Sequence, residues 1–119
     1  MMKPKDLAQK IARVLDKKGA YNITILEVDH LTSITDYFVI ASGRSAQSVR
    51  ALAEDVDEKL MEVGVDPRRR EGMNESRWIV LDYASVIVHL FHPDEREYYN
   101  IERLWMDGSN QVTFVPEED

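Results

Sequence analysis

Leu7, Ile11, Val14 and Leu15 recur at helical spacing near the start of the chain, with Pro4 in the opening turn and Gly19 as a stop. This predicts a first amphipathic helix. The segment YNITILEV (21–28) alternates β-branched residues and predicts a strand. After the polar link DHLTSIT comes DYFVIASG (36–43), a continuous apolar run of strand length that predicts burial on both faces. Ser45 is placed to cap a second helix, along which Val49, Leu52, Ala53, Val56, Leu60 and Val63 form one apolar stripe ending at Gly64. The basic connection DPRRREG has room for an edge strand, since Pro67 forbids a central one. RWIVLDY and SVIVHLF are two strands with almost nothing between them, hence a hairpin. His92 and Pro93 close it, and Asp94 is positioned to cap a last helix, EREYYNIERLW. The end, MDGSNQVTFVPEED, mixes turn residues with VTFV and an acidic tail whose last four residues are expected to be mobile. The order of elements predicts an α/β domain built on a single mixed β-sheet with flanking helices.

A length of 119 residues suits one domain, and such a chain buries roughly two-thirds of its unfolded surface without staples. The absence of cysteine excludes disulfides, thiolate nucleophiles and thiolate zinc sites, and makes a reducing cytoplasm the natural setting. Twenty-two acidic against fifteen basic residues give a net charge of −7. Nucleic-acid binding relies on lysine and arginine displacing phosphate counterions, so this field opposes direct binding to RNA or DNA and favours a basic partner. No apolar run reaches bilayer length, and the opening MMKPKDLAQKIARV, which already carries Asp6, reads as neither an export nor an organelle address.

Four groups of residues invite a catalytic or phosphate-binding reading. The GRS turn ahead of Asp55 and Asp57 is similar to the glycine–serine turn and paired carboxylates with which nucleotidyltransferases hold metal ions and phosphates. Those carboxylates project from a strand; here both aspartates lie on the second helix, where a spacing of two turns them roughly 200° apart. His89, His92, Asp94 and Glu95 have loosely metal-like spacing, but His89 shares a strand face with Ile87 and Phe91, which favours packing with hydrogen-bonded ring nitrogens. Ser42, Ser45 and Ser48 lack an adjacent histidine to activate them. Arg68, Arg69 and Arg70 could grip phosphate weakly, although beside Glu71 they equally suit a solvated sheet edge. No cofactor or metal site is expected, and the chain does not read as an enzyme.

The aromatics are the remaining signal. On a continuous last helix Tyr98, Ile101 and Trp105 share one stripe, while Tyr99 turns away and Leu104 falls between. In the first hairpin strand Trp78, Val80 and Asp82 face one side and Ile79, Leu81 and Tyr83 the other. Three short helices cannot cover all of this apolar surface, and exposed Trp, Tyr and Arg together are the composition of interface hot spots.

The blocks LTSITDYFVIASGRS, Glu71–Gly72, WIVLDY, VIVHLF and REYYNIERLW resemble, in order and spacing, the ribosomal silencing factor family, also called the Iojap family, over about residues 5–107. The resemblance implies a fold similar to the nucleotidyltransferase fold without its catalytic residues, with a silencing domain over 1–108 and a C-terminal extension over 109–119. It implies binding to the large ribosomal subunit through ribosomal protein L-fourteen, blocking subunit association and repressing translation. It also implies homodimers, seen in several relatives. The alternatives are a large-subunit assembly factor and a nucleotidyltransferase-like enzyme. By the same resemblance Glu71, Trp78, Asp82, Arg96, Tyr99, Leu104 and Trp105 are the expected partner-facing residues. Trp78 and the end of the last helix would be apolar anchors, and Glu71 and Asp82 would meet lysine or arginine. One departure from the family pattern is Ala84–Ser85 at the hairpin turn, where relatives often carry glycine and aspartate.

Overall fold

Helix α1 (Pro4–Lys17) follows from a proline at its start, where a missing N–H costs nothing, and an apolar face at positions 7, 8, 11, 12 and 15. Gly19 then takes φ +87°, a conformation that favours glycine, and turns the chain into strand β1 (Tyr21–Glu27). These elements belong to a computed structural model that describes residues 2–117. Strand β2 (Tyr37–Ser42) is buried at every position, in keeping with its continuous apolar run. Helix α2 (Ala46–Met61) is capped by Ser45, whose hydroxyl accepts from the Ser48 N–H at 3.1 Å.

Strand β3 (Arg69–Glu71) is a short, exposed edge. It leads into the hairpin of β4 (Trp78–Asp82) and β5 (Val86–Phe91). Helices α3 (Pro93–Tyr99) and α4 (Ile101–Trp105) and a two-residue strand β6 (Gln111–Val112) complete the chain. The six strands form one mixed sheet in the order β3-β4-β5-β2-β1-β6. Only β2 and β5, at its centre, run parallel; the other pairs are antiparallel. The α/β class and single mixed sheet expected from the sequence are therefore what the chain adopts.

The two faces of the sheet are covered unequally. Both long helices lie on one face, where Ile11, Leu15, Val56 and Leu60 pack with Ile25, Val39, Leu81 and Leu90 in one cluster. Full burial of each such side chain contributes about 1.5–3 kcal/mol. On the other face Leu26, Phe38, Ile40, Ile87 and Phe91 are covered by Ile101, with Trp78, Val80 and Trp105 partly buried around them. Two helices of seven and five residues carry this second layer.

Four local expectations are corrected. Val63 lies beyond the end of α2 and is 49% exposed, because the helix stops at Met61 and Gly64 reverses the chain. The cap of α3 is His92, whose Nδ1 accepts from the Asp94 N–H at 3.2 Å, because Pro93 occupies the first helical position. The last helix is not continuous. Asn100 adopts φ 42°, ψ 56°, a left-handed conformation that asparagine tolerates, and breaks it into α3 and α4. That break voids the single stripe of Tyr98, Ile101 and Trp105: Ile101 is buried, while Tyr98 stands 81% exposed.

The segment after Gly108 is tied to the domain. Strand β6 pairs with β1, and the Gln9 amide bridges it, donating to the Thr113 carbonyl at 2.8 Å and accepting from the Val115 N–H at 2.9 Å. The mobile end expected over the last four residues falls partly on Glu118 and Asp119, which lie outside the described residues.

Candidate docking surface

Trp78 opens β4 directly opposite Phe91 on β5, and the two rings stack with centroids 5.0 Å apart. From α3, Tyr99 comes within 4.7 Å of the indole, and Tyr98 meets Tyr99 edge-on at 5.0 Å. On the sheet the indole N–H donates to His89 Nδ1 at 3.2 Å. The His89 ring meets Phe38 edge-on at 4.9 Å, and Phe38 meets Trp105 of α4 at 5.1 Å. An unbroken run of rings thus crosses the thinly covered face from α3 to α4. Its ends reach solvent: Tyr99 is 48% exposed, Leu104 beside Trp105 is 77% exposed, and Met106 follows. Aromatic pairs of this geometry are worth roughly 0.5–1.5 kcal/mol each beyond their buried area, so the contacts hold the run together.

An open recess of about 630 Å³ adjoins Trp78 and Tyr99, with Met73, Asn74 and Arg77 on its walls. Gly72 makes its floor possible. Its φ is +84°, and a β-carbon there would stand 2.0 Å from the Trp78 carbonyl oxygen. Its charged lining is balanced, with Arg70 and Arg77 against Glu75 and Glu95, and Glu95 forms a two-pronged pair with Arg77 that holds its carboxyl below the usual range.

The seven expected partner-facing residues divide. Glu71, Tyr99 and Leu104 are exposed, and Trp78 and Trp105 are half-buried with their rings in the aromatic run. Asp82 and Arg96 are corrected. Asp82 is 5% exposed and engaged within the chain: it accepts from the Ala84 N–H at 2.8 Å and lies 3.5 Å from Arg68 and 3.7 Å from Arg69. Arg96 grips Glu102 with two nitrogens at 2.9 and 3.0 Å, and donates to Ser42 and Thr24. It pins the α3–α4 break onto β1 and β2. The sequence reading missed Tyr98 and the bond between Trp78 and His89; the first needed the Asn100 break, and the second needed the β4–β5 register.

The catalytic constellations do not converge. Asp57 is held by Arg70 and by the Tyr83 hydroxyl at 2.6 Å, while Asp55 lies 3.9 Å from Lys18. Burial and the Asp57 charge push the Tyr83 hydroxyl well above its usual range. His92, Asp94 and Glu95 gather around Arg77, with His92 Nδ1 3.5 Å from its guanidinium and 3.8 Å from both carboxylates, whereas His89 faces Trp78 apart from them, so the four do not meet at one point. Arg68, Arg69 and Arg70 all pair with aspartates of the same chain.

Fold and surface together define a mixed-sheet α/β domain whose distinctive feature is an aromatic face carried by two short helices. The family model described as ribosomal silencing factor during starvation matches residues 1–119. Ribosomal silencing factor RsfS of Bacillus subtilis is 38% identical over 107 residues, covering 90% of this chain and 91% of the relative. A mouse protein named for mitochondrial assembly of the ribosomal large subunit is 32% identical over 98 residues, covering 80% of this chain and 43% of that protein. A crystal structure of a Chromobacterium violaceum protein superposes with a TM-score of 0.85 at 33% identity, covering 96% of this chain and 97% of that one. The chain belongs to the ribosomal silencing factor family. That family is defined by ribosome silencing and not by an enzymatic reaction.

Proposed function

We propose that the protein docks on the large ribosomal subunit through ribosomal protein L-fourteen and, without any chemistry of its own, obstructs joining of the small subunit. The observation that carries this reading is the aromatic face at Trp78, Tyr99, Leu104 and Trp105 in a chain of the silencing family. A net charge of −7 complements a basic ribosomal protein and is repelled by surrounding RNA phosphates, which steers encounter towards protein and away from rRNA. Hot-spot anchors of this kind cost about 2 kcal/mol or more on truncation. Trp78→Ala is expected to keep the fold and to lose inhibition of subunit joining in a reconstituted system, read by sedimentation of joined ribosomes. Full inhibition by the folded variant would refute the assignment.

A second reading is large-subunit assembly, favoured by the mouse relative's name. Binding to immature large subunits together with no binding to mature ones would select it. In either role the protein would work where its ribosomes are, and the same face could serve the self-association that the family resemblance implies.

A further inference from the structure

One member of the aromatic run is a buried polar group. His89 is 9% exposed at the centre of β5, between Ile40 of β2 and Val80 of β4. Its ring is packed on the aromatic side of the sheet by Phe38, Trp78 and Phe91. An apolar side chain of similar size would fill this position without a buried ring nitrogen, but would take the acceptor from the Trp78 indole N–H. His89 leaves one ring nitrogen unsatisfied: Nε2 is buried and has no hydrogen-bond partner. Natural interiors rarely leave such a group unpaired, and each costs stability.

The other ring nitrogen shows what is obtained in exchange. An indole N–H is a donor only, so His89 Nδ1, 3.2 Å from Trp78 Nε1, must present a lone pair to it. That fixes the neutral tautomer with its hydrogen on the unpaired Nε2. Burial alone pushes the imidazole down to about 4, so this neutral form holds throughout the neutral range. Among the described residues the indole N–H has no other acceptor: Phe91 stacks on one side of the indole and Tyr99 tilts against it, and neither ring contact fixes its orientation as a hydrogen bond does.

We infer that His89 is a positioning residue for docking: it accepts the indole N–H and so fixes the orientation in which Trp78 is offered to a ribosomal partner, at a cost in stability from its unpaired nitrogen. The inference rests on the docking reading above. It makes stability and binding move in opposite directions, which a purely structural histidine would not do. His89→Asn keeps an acceptor near the position of Nδ1; His89→Leu has nearly the same volume and keeps none.

The test uses the full chain and isolated large ribosomal subunits. Between the two variants, Leu is expected to be the more stable to urea and Asn the tighter binder, by about three- to tenfold, the effect of one hydrogen bond. In ¹⁵N-labelled protein the Trp78 indole N–H, assigned with Trp105→Phe, should be protected from exchange in the wild type and Asn variant and unprotected in the Leu variant. Equal binding by the Asn and Leu variants, or an unprotected Trp78 indole in the wild type, would overturn the inference. The wild-type exchange measurement decides even if neither variant folds. Trp78→Ala is measured alongside. If it binds normally, the docking reading itself fails; if it loses binding while Asn and Leu variants bind alike, only the role of His89 falls.

Discussion

Lowering the pH from 7 to 4 tests the burial of His89 through stability alone. In the unfolded chain the imidazole takes up a proton near its ordinary value of 6.5, whereas in the folded protein burial pushes it down to about 4. The unfolded state therefore binds the proton more tightly than the folded state. Stability is complete above about pH 6.5, falls as the pH drops through the window between the two values, and levels off below the lower one. At about 1.4 kcal/mol per tenfold difference in proton affinity, the full loss is about 3 kcal/mol, a large share of a total that is typically 5–15 kcal/mol. Two exposed groups act differently. His30, raised by its bond to Asp107, contributes stability that is present at acid pH and lost as the pH rises. Asp107, held at about 2, changes only below the window. Their contributions cancel when His89→Leu is subtracted from the wild type. Urea unfolding at steps of pH, followed by tryptophan fluorescence, should show the wild type losing stability relative to the variant between pH 6.5 and 4. Parallel curves for the two proteins across that range would refute the assignment of a buried neutral imidazole.

Two further substitutions probe backbone and side-chain restraints. Ala84 holds φ +71° at the hairpin turn, a left-handed conformation that costs an L-residue about 1–2 kcal/mol, so Ala84→Gly should raise stability by up to about 1 kcal/mol in thermal unfolding. The Asp82 bond to the residue 84 N–H is kept in the variant, so no gain would refute the strain assigned to this turn. Arg96→Ala should cost about 2–3 kcal/mol, since it strips Glu102 of its fork, and should speed amide exchange in α4 ahead of the sheet. Arg96→Lys should recover only part of this loss, because an ammonium group cannot make both bonds; full recovery would show that charge alone suffices.

Much of the fold was legible because its signals are local. The stripes of α1 and α2, the Ser45 cap and the largely apolar β2 are each written within a dozen residues. The α3–α4 break was not legible. Tyr98, Ile101 and Trp105 keep helical spacing across Asn100, and only the burial of Ile101 and the fork from Arg96 to Glu102 decide against a straight helix. The His92 cap could have been read from Pro93, whose place at the first helical position leaves the preceding residue as the cap. Alternation correctly put Trp78 and Val80 on the open face. The partner-facing role that the resemblance implied for Asp82 is another matter, because strand parity does not register a turn that consumes the carboxylate or arginines arriving from β3. The aromatic run joins five elements, and no sequence window contains it.

The parallel pairing of β2 with β5 couples Tyr37 to Val86 and Ser42 to Phe91, residues roughly 50 positions apart in the chain. Everything up to α2 therefore emerges from the ribosome with β2 lacking the neighbour that saturates one of its edges. During synthesis the nascent protein must carry a largely apolar strand with one open edge until β5 has cleared the exit tunnel, and only then can the sheet be completed. Its assembly is thus gated by chain elongation, and premature termination before Phe91 would release a fragment prone to pair with other chains.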